Sequence, residues 1–199
     1  VTEFLANPSS VSDEVGEWFE IYNTTSSAID LSDFTISDAG QDAVSGLGST
    51  SGGSLIIPGN SYMVLAANAD AGVNGAVIVD CEYGDNFYLA NSADEIILTD
   101  GLGTEIFRLE YESISGPSVD PIVVDPIVVA GVAAWLDVLL LNATAAADTV
   151  NWCAVGGIQP SIAGGPPGNS GDQGSPGSAA GRREDGARRR RLRKPRAGA

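Results

Sequence analysis

The stretch from Glu95 to Glu112 leaves this chain little freedom in what it can fold into. An apolar run, Glu95–Thr99, reaches Asp100-Gly101-Leu102-Gly103 and returns along Glu105–Glu112, where Phe107, Leu109 and Tyr111 alternate with Arg108, Glu110 and Glu112. Successive side chains of a strand point to opposite faces, so the alternation predicts one buried and one wet face. Asp-Gly between two such runs is a hairpin signal, because these residues tolerate the backbone of a tight turn. A lone hairpin cannot cover its apolar face in water. The rest of the chain offers the cover: short apolar or alternating runs are broken by Gly, Asn, Asp, Ser and Pro about every 8–12 residues, the spacing of a β-sandwich. The expected fold class is all-β.

Along the chain, Val1–Leu5 reads as an opening strand, stopped by Asn7-Pro8 because proline cannot extend a ladder. Trp18–Asn23 is the second strand, with Phe19 and Ile21 facing the core; Trp18 and Tyr22, on the other face, are expected to cover a sheet edge with their polar tips in water. Ile29, Leu31, Phe34 and Ile36 follow between aspartates that favour turns. Gly40–Gly53 reads as loop, Pro58-Gly59 as a turn ahead of the strand Tyr62–Ala66, and Ala76–Val79 as a short strand. Core candidates are Phe4, Phe19, Ile21, Phe34, Ile36, Val64, Leu98, Phe107 and Leu109.

Beyond Gly116 the pattern changes. Asp120-Pro-Ile-Val-Val124 is repeated as Asp125-Pro-Ile-Val-Val129, too short a repeat for a solenoid and read as a local duplication. Ala130–Val150 is expected to hold one strand and a helical turn near Asn142–Ala147, and Val150–Cys153 to be the last strand. Gly156–Gly181 is Gly/Pro/Ser-rich coil. The longest apolar run, Pro126–Leu141, contains Asp137 and reads as buried strand rather than as a membrane span. The domain expected is therefore 1–180, followed by a basic tail, 181–199, that is too charged to fold alone. The sequence begins at Val1 rather than at a methionine, with no leader pattern, and is taken as a mature or trimmed form.

Charge is distributed unevenly. Of 26 acids only Glu184 and Asp185 lie past Gly181, and of ten bases only Arg108 lies before it, so residues 1–181 carry a balance of −23. Such a surface repels nucleic acid and anionic membranes. It reads as a solvated face of an exported or salt-adapted protein, as a calcium-binding surface, or as one made to meet a basic partner.

The chain contains no histidine, which removes the usual general base, the commonest zinc ligand and any Ser-His-Asp triad. No Gly-x-Ser-x-Gly elbow and no EF-hand loop occur, and no carboxylate pair is singled out for acid–base work. The expectation is no enzyme and no cofactor, with calcium as the one metal to consider, at Ser12-Asp-Glu-Val-Gly-Glu17 or at Asp80, Glu82, Asp85 and Asn86. Cys81 and Cys153 are a candidate disulfide, which would close a loop of about 70 residues and contribute on the order of 4 kcal/mol. The alternative is two buried thiols acting as small hydrophobes. Asn23-Thr-Thr25 and Asn142-Ala-Thr144 are glycosylation sequons, relevant only in a glycosylating host.

Four phrases, in order, resemble the lamin tail domain family: Gly16-Glu-Trp-Phe-Glu-Ile-Tyr-Asn23, Ala28-Ile-Asp-Leu-Ser-Asp-Phe-Thr-Ile-Ser-Asp38, Ile56-Ile-Pro-Gly-Asn-Ser-Tyr-Met-Val-Leu-Ala66 and Leu89-Ala-Asn-Ser-Ala-Asp-Glu-Ile-Ile-Leu-Thr-Asp-Gly101. Asn142-Ala-Thr144, Asn151-Trp-Cys153 and Gly171-Asp-Gln-Gly-Ser-Pro-Gly177 resemble the closing part of its secreted bacterial members. The resemblance implies an immunoglobulin-like sandwich that serves as a non-catalytic structural or binding module, often appended to exported enzymes. With the acidic body, the expected role is an extracellular accessory module that associates with a protein or cell-surface partner and takes no small-molecule substrate. The alternative is a nuclear scaffold using the tail, Arg182-Arg183 and Arg188–Arg196, for import or chromatin contact. That tail also reads as a segment folding onto the acidic body, or as an out-of-frame stretch unlike the residues before it.

Overall fold

Period-two patterning becomes two stacked sheets. The computed structural model describes residues 1–112, 130–136, 141–146, 152–153 and 174. In chain order the elements are β1 (Glu3–Leu5), the one-turn helix α1 (Asp13–Gly16), β2 (Trp18–Tyr22), β3 (Ile29–Asp30), β4 (Thr35–Ser37), β5 (Ala43–Ser45), β6 (Ile56–Ile57), β7 (Tyr62–Ala66) and β8 (Cys81–Glu82). A 3₁₀ turn at Gly84–Asn86 leads to β9 (Ala93–Thr99), β10 (Glu105–Glu112), β11 (Ala134–Leu136), α2 (Ala143–Ala146) and β12 (Trp152–Cys153). One sheet has the order β12-β11-β1-β2-β7-β8, the other β10-β9-β4-β5, and β3 pairs with β6 in a small ribbon. All pairings are antiparallel except β7 with β8.

The hairpin forms where the sequence places it. Asp100 Oδ1 accepts from the amides of Leu102 (3.0 Å) and Thr104 (2.8 Å), which closes the turn. A bulge between Glu105 and Phe107 shifts the register so that Phe107 pairs with Leu98 and Ile106 is left exposed.

Between the sheets lies the main core, with Phe4, Phe19, Ile21, Ile36, Phe107 and Leu109 all buried and Phe34 and Leu98 packed against it in part. Phe19 is flanked by Tyr83 and Phe87 at ring-centroid distances of 5.9 and 6.2 Å. Val64 is buried on the opposite face of the six-stranded sheet, in a second cluster with Leu5, Trp18, Ala66, Val77, Val79 and Ala133.

Three local expectations change. Trp18 is fully buried in that second cluster, not an edge cover, and its indole N–H has no partner among the described residues. Gly174 lies against it so closely that a Cβ there would sit 2.9 Å from Trp18 Cζ2. Ala76–Val79 forms no strand, because the buried Asn74 side chain accepts from the Val77 amide (3.0 Å) and donates to the Val77 carbonyl (3.0 Å), engaging backbone groups that a ladder would need. The Gly40–Gly53 loop contains β5, paired with β4.

The sheet also reaches past the hairpin. β11 pairs with β1, setting Phe4 opposite Ala134, and β12 continues the sheet; the Trp152 ring lies 5.7 Å from Phe4. The Asp-Pro-Ile-Val-Val duplication, residues 156–173 and the basic tail lie outside the described residues.

Candidate functional site

The two ends of the inner core differ in chemistry. At one end Glu17, the residue before β2, is 3% exposed, and its Oε2 accepts from the Leu89 amide at 2.9 Å. Beside it the Ala90 amide donates to Asp94 Oδ2 (2.7 Å), Asn91 Nδ2 donates to Asp13 Oδ2 (2.7 Å) and the Tyr111 hydroxyl donates to the Ala90 carbonyl (3.0 Å). Three carboxylates from three segments thus grip one loop, residues 89–91. Burial raises the Glu17 carboxyl to about 8; the charges of Asp13 and Asp94 add to the rise and the Leu89 amide opposes it. Asp94 is raised by burial as well, against the pull of the Ala90 and Glu95 amides. The Tyr83 hydroxyl is buried with no hydrogen-bond partner among the described residues, and burial plus the Glu17 charge raise its pKa well above the ordinary tyrosine value. With no basic side chain beside it among the described residues, burial favours the protonated form of Glu17 at neutral pH.

At the other end the chain leaves β2 through Asn23, 4% exposed. Its Nδ2 donates to the carbonyls of Ser27 (2.8 Å) and Pro58 (3.1 Å), with the Ile57 carbonyl at 3.4 Å, while Oδ1 accepts from the Thr25 amide (2.9 Å) and hydroxyl (2.8 Å). This ties the turn after β2 to the Pro58-Gly59 turn. Gly59 is required there, since a Cβ would fall 2.3 Å from the carbonyl carbon of Ser26. An Asn followed by Thr at a strand exit is the sequence trace of such a turn. The Asn23 sequon is therefore closed to a glycan in the folded chain, because its amide is buried and engaged.

Next to Asn23 opens a cavity of about 280 Å³, lined chiefly by apolar side chains from both sheets and the β3–β6 ribbon, with Ala143 and Ala146 of α2 also in its lining.

The structure does not bring the two cysteines together. Cys81 is a free, fully buried thiol in β8, and β12 with Cys153 is the opposite edge of the same sheet. Five strand spacings of about 4.8 Å separate those edges, far beyond the roughly 7 Å limit for bridging Cα atoms. Burial raises the Cys81 thiol to about 11, so it behaves as a small hydrophobe. The side chain of Cys153 lies outside the described residues.

The calcium candidates are likewise divided among separate amides. Glu17 binds Leu89, Asp80 Oδ2 accepts from Val64 (2.9 Å) and Glu82 Oε2 from Ala69 (2.7 Å). Among the described residues no three acidic or cysteine side chains converge as a metal site. No helix among them is long and apolar enough to cross a membrane.

Two stacked sheets, a small ribbon and two one-turn helices define an immunoglobulin-like β-sandwich module. The match with protein-family models makes this specific: the Lamin Tail Domain model covers residues 1–113, more than half the chain, and the chain belongs to the lamin tail domain family. Comparison with curated proteins and with solved structures found no match. The family is one of structural immunoglobulin-like domains, not known as enzymes. The nuclear alternative gains no support, and the tail it relied on lies outside the described residues.

Sequence reasoning missed Glu17 as a buried acid, Asn23 as a staple and the cavity. The family phrases themselves were the signal: Glu17 and Asn23 bracket the first phrase and fasten it to Leu89 of the fourth and Pro58 of the third.

Proposed function

We propose that this chain is a non-catalytic association module of an exported protein, held at an extracellular surface by a partner that presents basic groups. One observation carries the reading. Arg108 is the only base in residues 1–181, and its guanidinium is already engaged by Glu105, at 2.7 Å from Nη2 and 3.0 Å from Nε. The body therefore offers no uncommitted basic side chain and a strongly negative field, which attracts basic groups and repels nucleic acid and anionic lipid. Nothing in this reading needs a metal ion or a reaction.

Fractionating cells that make the protein tests both halves. The expected result is a signal outside the cell or on its surface that high salt releases and a calcium chelator does not, because salt screens exposed charges. A signal confined to the cell interior would overturn the exported role. Surface retention that survives salt would overturn the charge-based contact.

A further inference from the structure

The cavity beside Asn23 has a second property besides its apolar lining: the polar side chains of Thr2, Asn23 and Thr25 that line it are already engaged. The Thr2 hydroxyl donates to Glu20 Oε1 at 2.7 Å, the Asn23 amide is committed to the turn carbonyls, and the Thr25 hydroxyl binds Asn23 Oδ1 and the Ser27 carbonyl. A polar group pushed against these side chains would lose its water and find none of them free to replace it. An apolar group would lose nothing, and side chains such as Ile21, Ile57, Leu65, Leu98 and Phe107 would gain contacts with it.

Size narrows the occupant. The cavity, about 280 Å³, falls at the lower end of small-molecule pockets, which run from about 300 Å³ upward. It is roughly twice the ~150 Å³ that suffices for benzene in an apolar cavity. One short aliphatic chain fits, and a drug-sized molecule does not.

Charge decides the head group. Arg108, the one basic side chain among the described residues, is held by Glu105, so a carboxylate left at the mouth meets no free basic side chain among them and a negative body. Acidic Asp30 and Asp33, both exposed, adjoin the lining residues Ile29, Leu31 and Phe34 in sequence. An ammonium or guanidinium head is attracted.

We propose that the cavity between the sheets is a socket for a single short aliphatic chain borne next to a positive charge. In the association reading, on which this biological setting rests, that chain is an aliphatic side chain of the partner protein flanked by lysine or arginine.

Three probes with one tail and different heads test it on the full chain: hexylammonium, 1-hexanol and hexanoate, followed by methyl NMR and thermal melting at low and high salt. Hexylammonium is expected to perturb the methyl resonances of Ile21, Leu65 and Leu98 and to raise the melting temperature. Hexanoate is expected to bind at least about tenfold more weakly at low salt, with the gap closing near 1 M salt, where the screening length is about 3 Å. Ala143→Phe, at an exposed lining position, is expected to weaken hexylammonium without unfolding the chain; Leu98→Phe, which fills the interior, should do the same. If no hexyl compound perturbs these methyls at millimolar concentration, there is no socket. If hexanoate binds as well as hexylammonium at low salt, the charge preference is wrong. Unchanged affinity in both folded variants places the ligand elsewhere and overturns the assignment. Salt-sensitive surface retention without any hexyl binding would sink the socket and leave the association reading standing.

Discussion

Glu17 and Asn23 lie six residues apart, one before and one after β2, and they finish the two ends of the same core in opposite ways. The Glu17 end is closed. It is packed with aromatic rings, and its polar groups are a protonated acid, two tyrosine hydroxyls and a loop strapped by carboxylates. The Asn23 end is open. Its buried amide is fully engaged in turn backbone, leaving an apolar cavity beside it. The lesson is that a strand identifies a core but not what happens at its ends. There, one buried polar residue decides whether the sandwich is sealed by polar bonds or left as a socket.

The largest expected effect separates the ends by pH. Glu17 has a folded value near 8, above its ordinary 4.5, so the folded state holds a proton that the unfolded chain releases. The contribution of Glu17 to stability is therefore full below about 4.5, falls as pH rises through the window to about 8, and is lost above it. Raising the Glu17 carboxyl from 4.5 to about 8 corresponds to about 4–5 kcal/mol. Asp94, also raised, works in the same direction. Urea unfolding at pH 5, 7 and 9 should show this loss, and Glu17→Gln should flatten most of it while Oε1 keeps an acceptor for the Leu89 amide. A wild-type stability that is level or rises across the window would mean Glu17 is ionised in the fold, and the closed end would need another explanation.

At the open end the matching change is smaller. Asn23→Ala removes a side chain that satisfies at least two carbonyls and two donors of the adjoining turns. Leaving such groups unpaired costs about 1–3 kcal/mol. The loss should be independent of pH between 5 and 9, in contrast with Glu17, and amide exchange should accelerate at Thr25 and Asn60, whose amide donates to the Thr25 carbonyl at 2.8 Å. A pH-dependent loss would show that the two ends are coupled rather than separate.

The same contrast explains what could be read from the sequence. The hairpin is legible because the alternation of its return strand is local, and β2 and β7 because each is a short run rich in apolar residues bounded by turn residues, although both of their faces are buried. Trp18 was placed on the correct face and given the wrong environment, since what covers it comes from Val77, Val79, Ala133 and Gly174, far along the chain. β8 has only two residues, one of them charged, and carries no pattern; it exists through parallel pairing with β7. Glu17 could not be recognised as buried because its partner amide lies 72 residues away. The cavity is a gap between side chains of several elements, and no periodicity records a gap. Composition did better for the surface, where the scarcity of bases needs no fold to be seen.

The smallest expected effect is none at all, and it distinguishes a proton from a metal at the closed end. The charges of Asp13 and Asp94 raise the affinity of their neighbour Glu17 for a proton, and a calcium site before it is filled gathers carboxylates in the same way. Their oxygens, however, are turned to three different donors, the Asn91 side chain and the amides of Leu89 and Ala90, and they do not converge. Calcium binding here would have to break those bonds and release the loop. A ligand that binds only the folded state raises the melting temperature in proportion to its occupancy. Millimolar calcium should therefore leave the melting temperature unchanged at pH 6, where Glu17 is protonated, and at pH 9, where it is not. A rise only at pH 9 would show that the cation takes the place of the proton once Glu17 ionises. The closed end would then be sealed by whichever positive species is available, and the difference between the two ends would depend on the medium as well as on the chain.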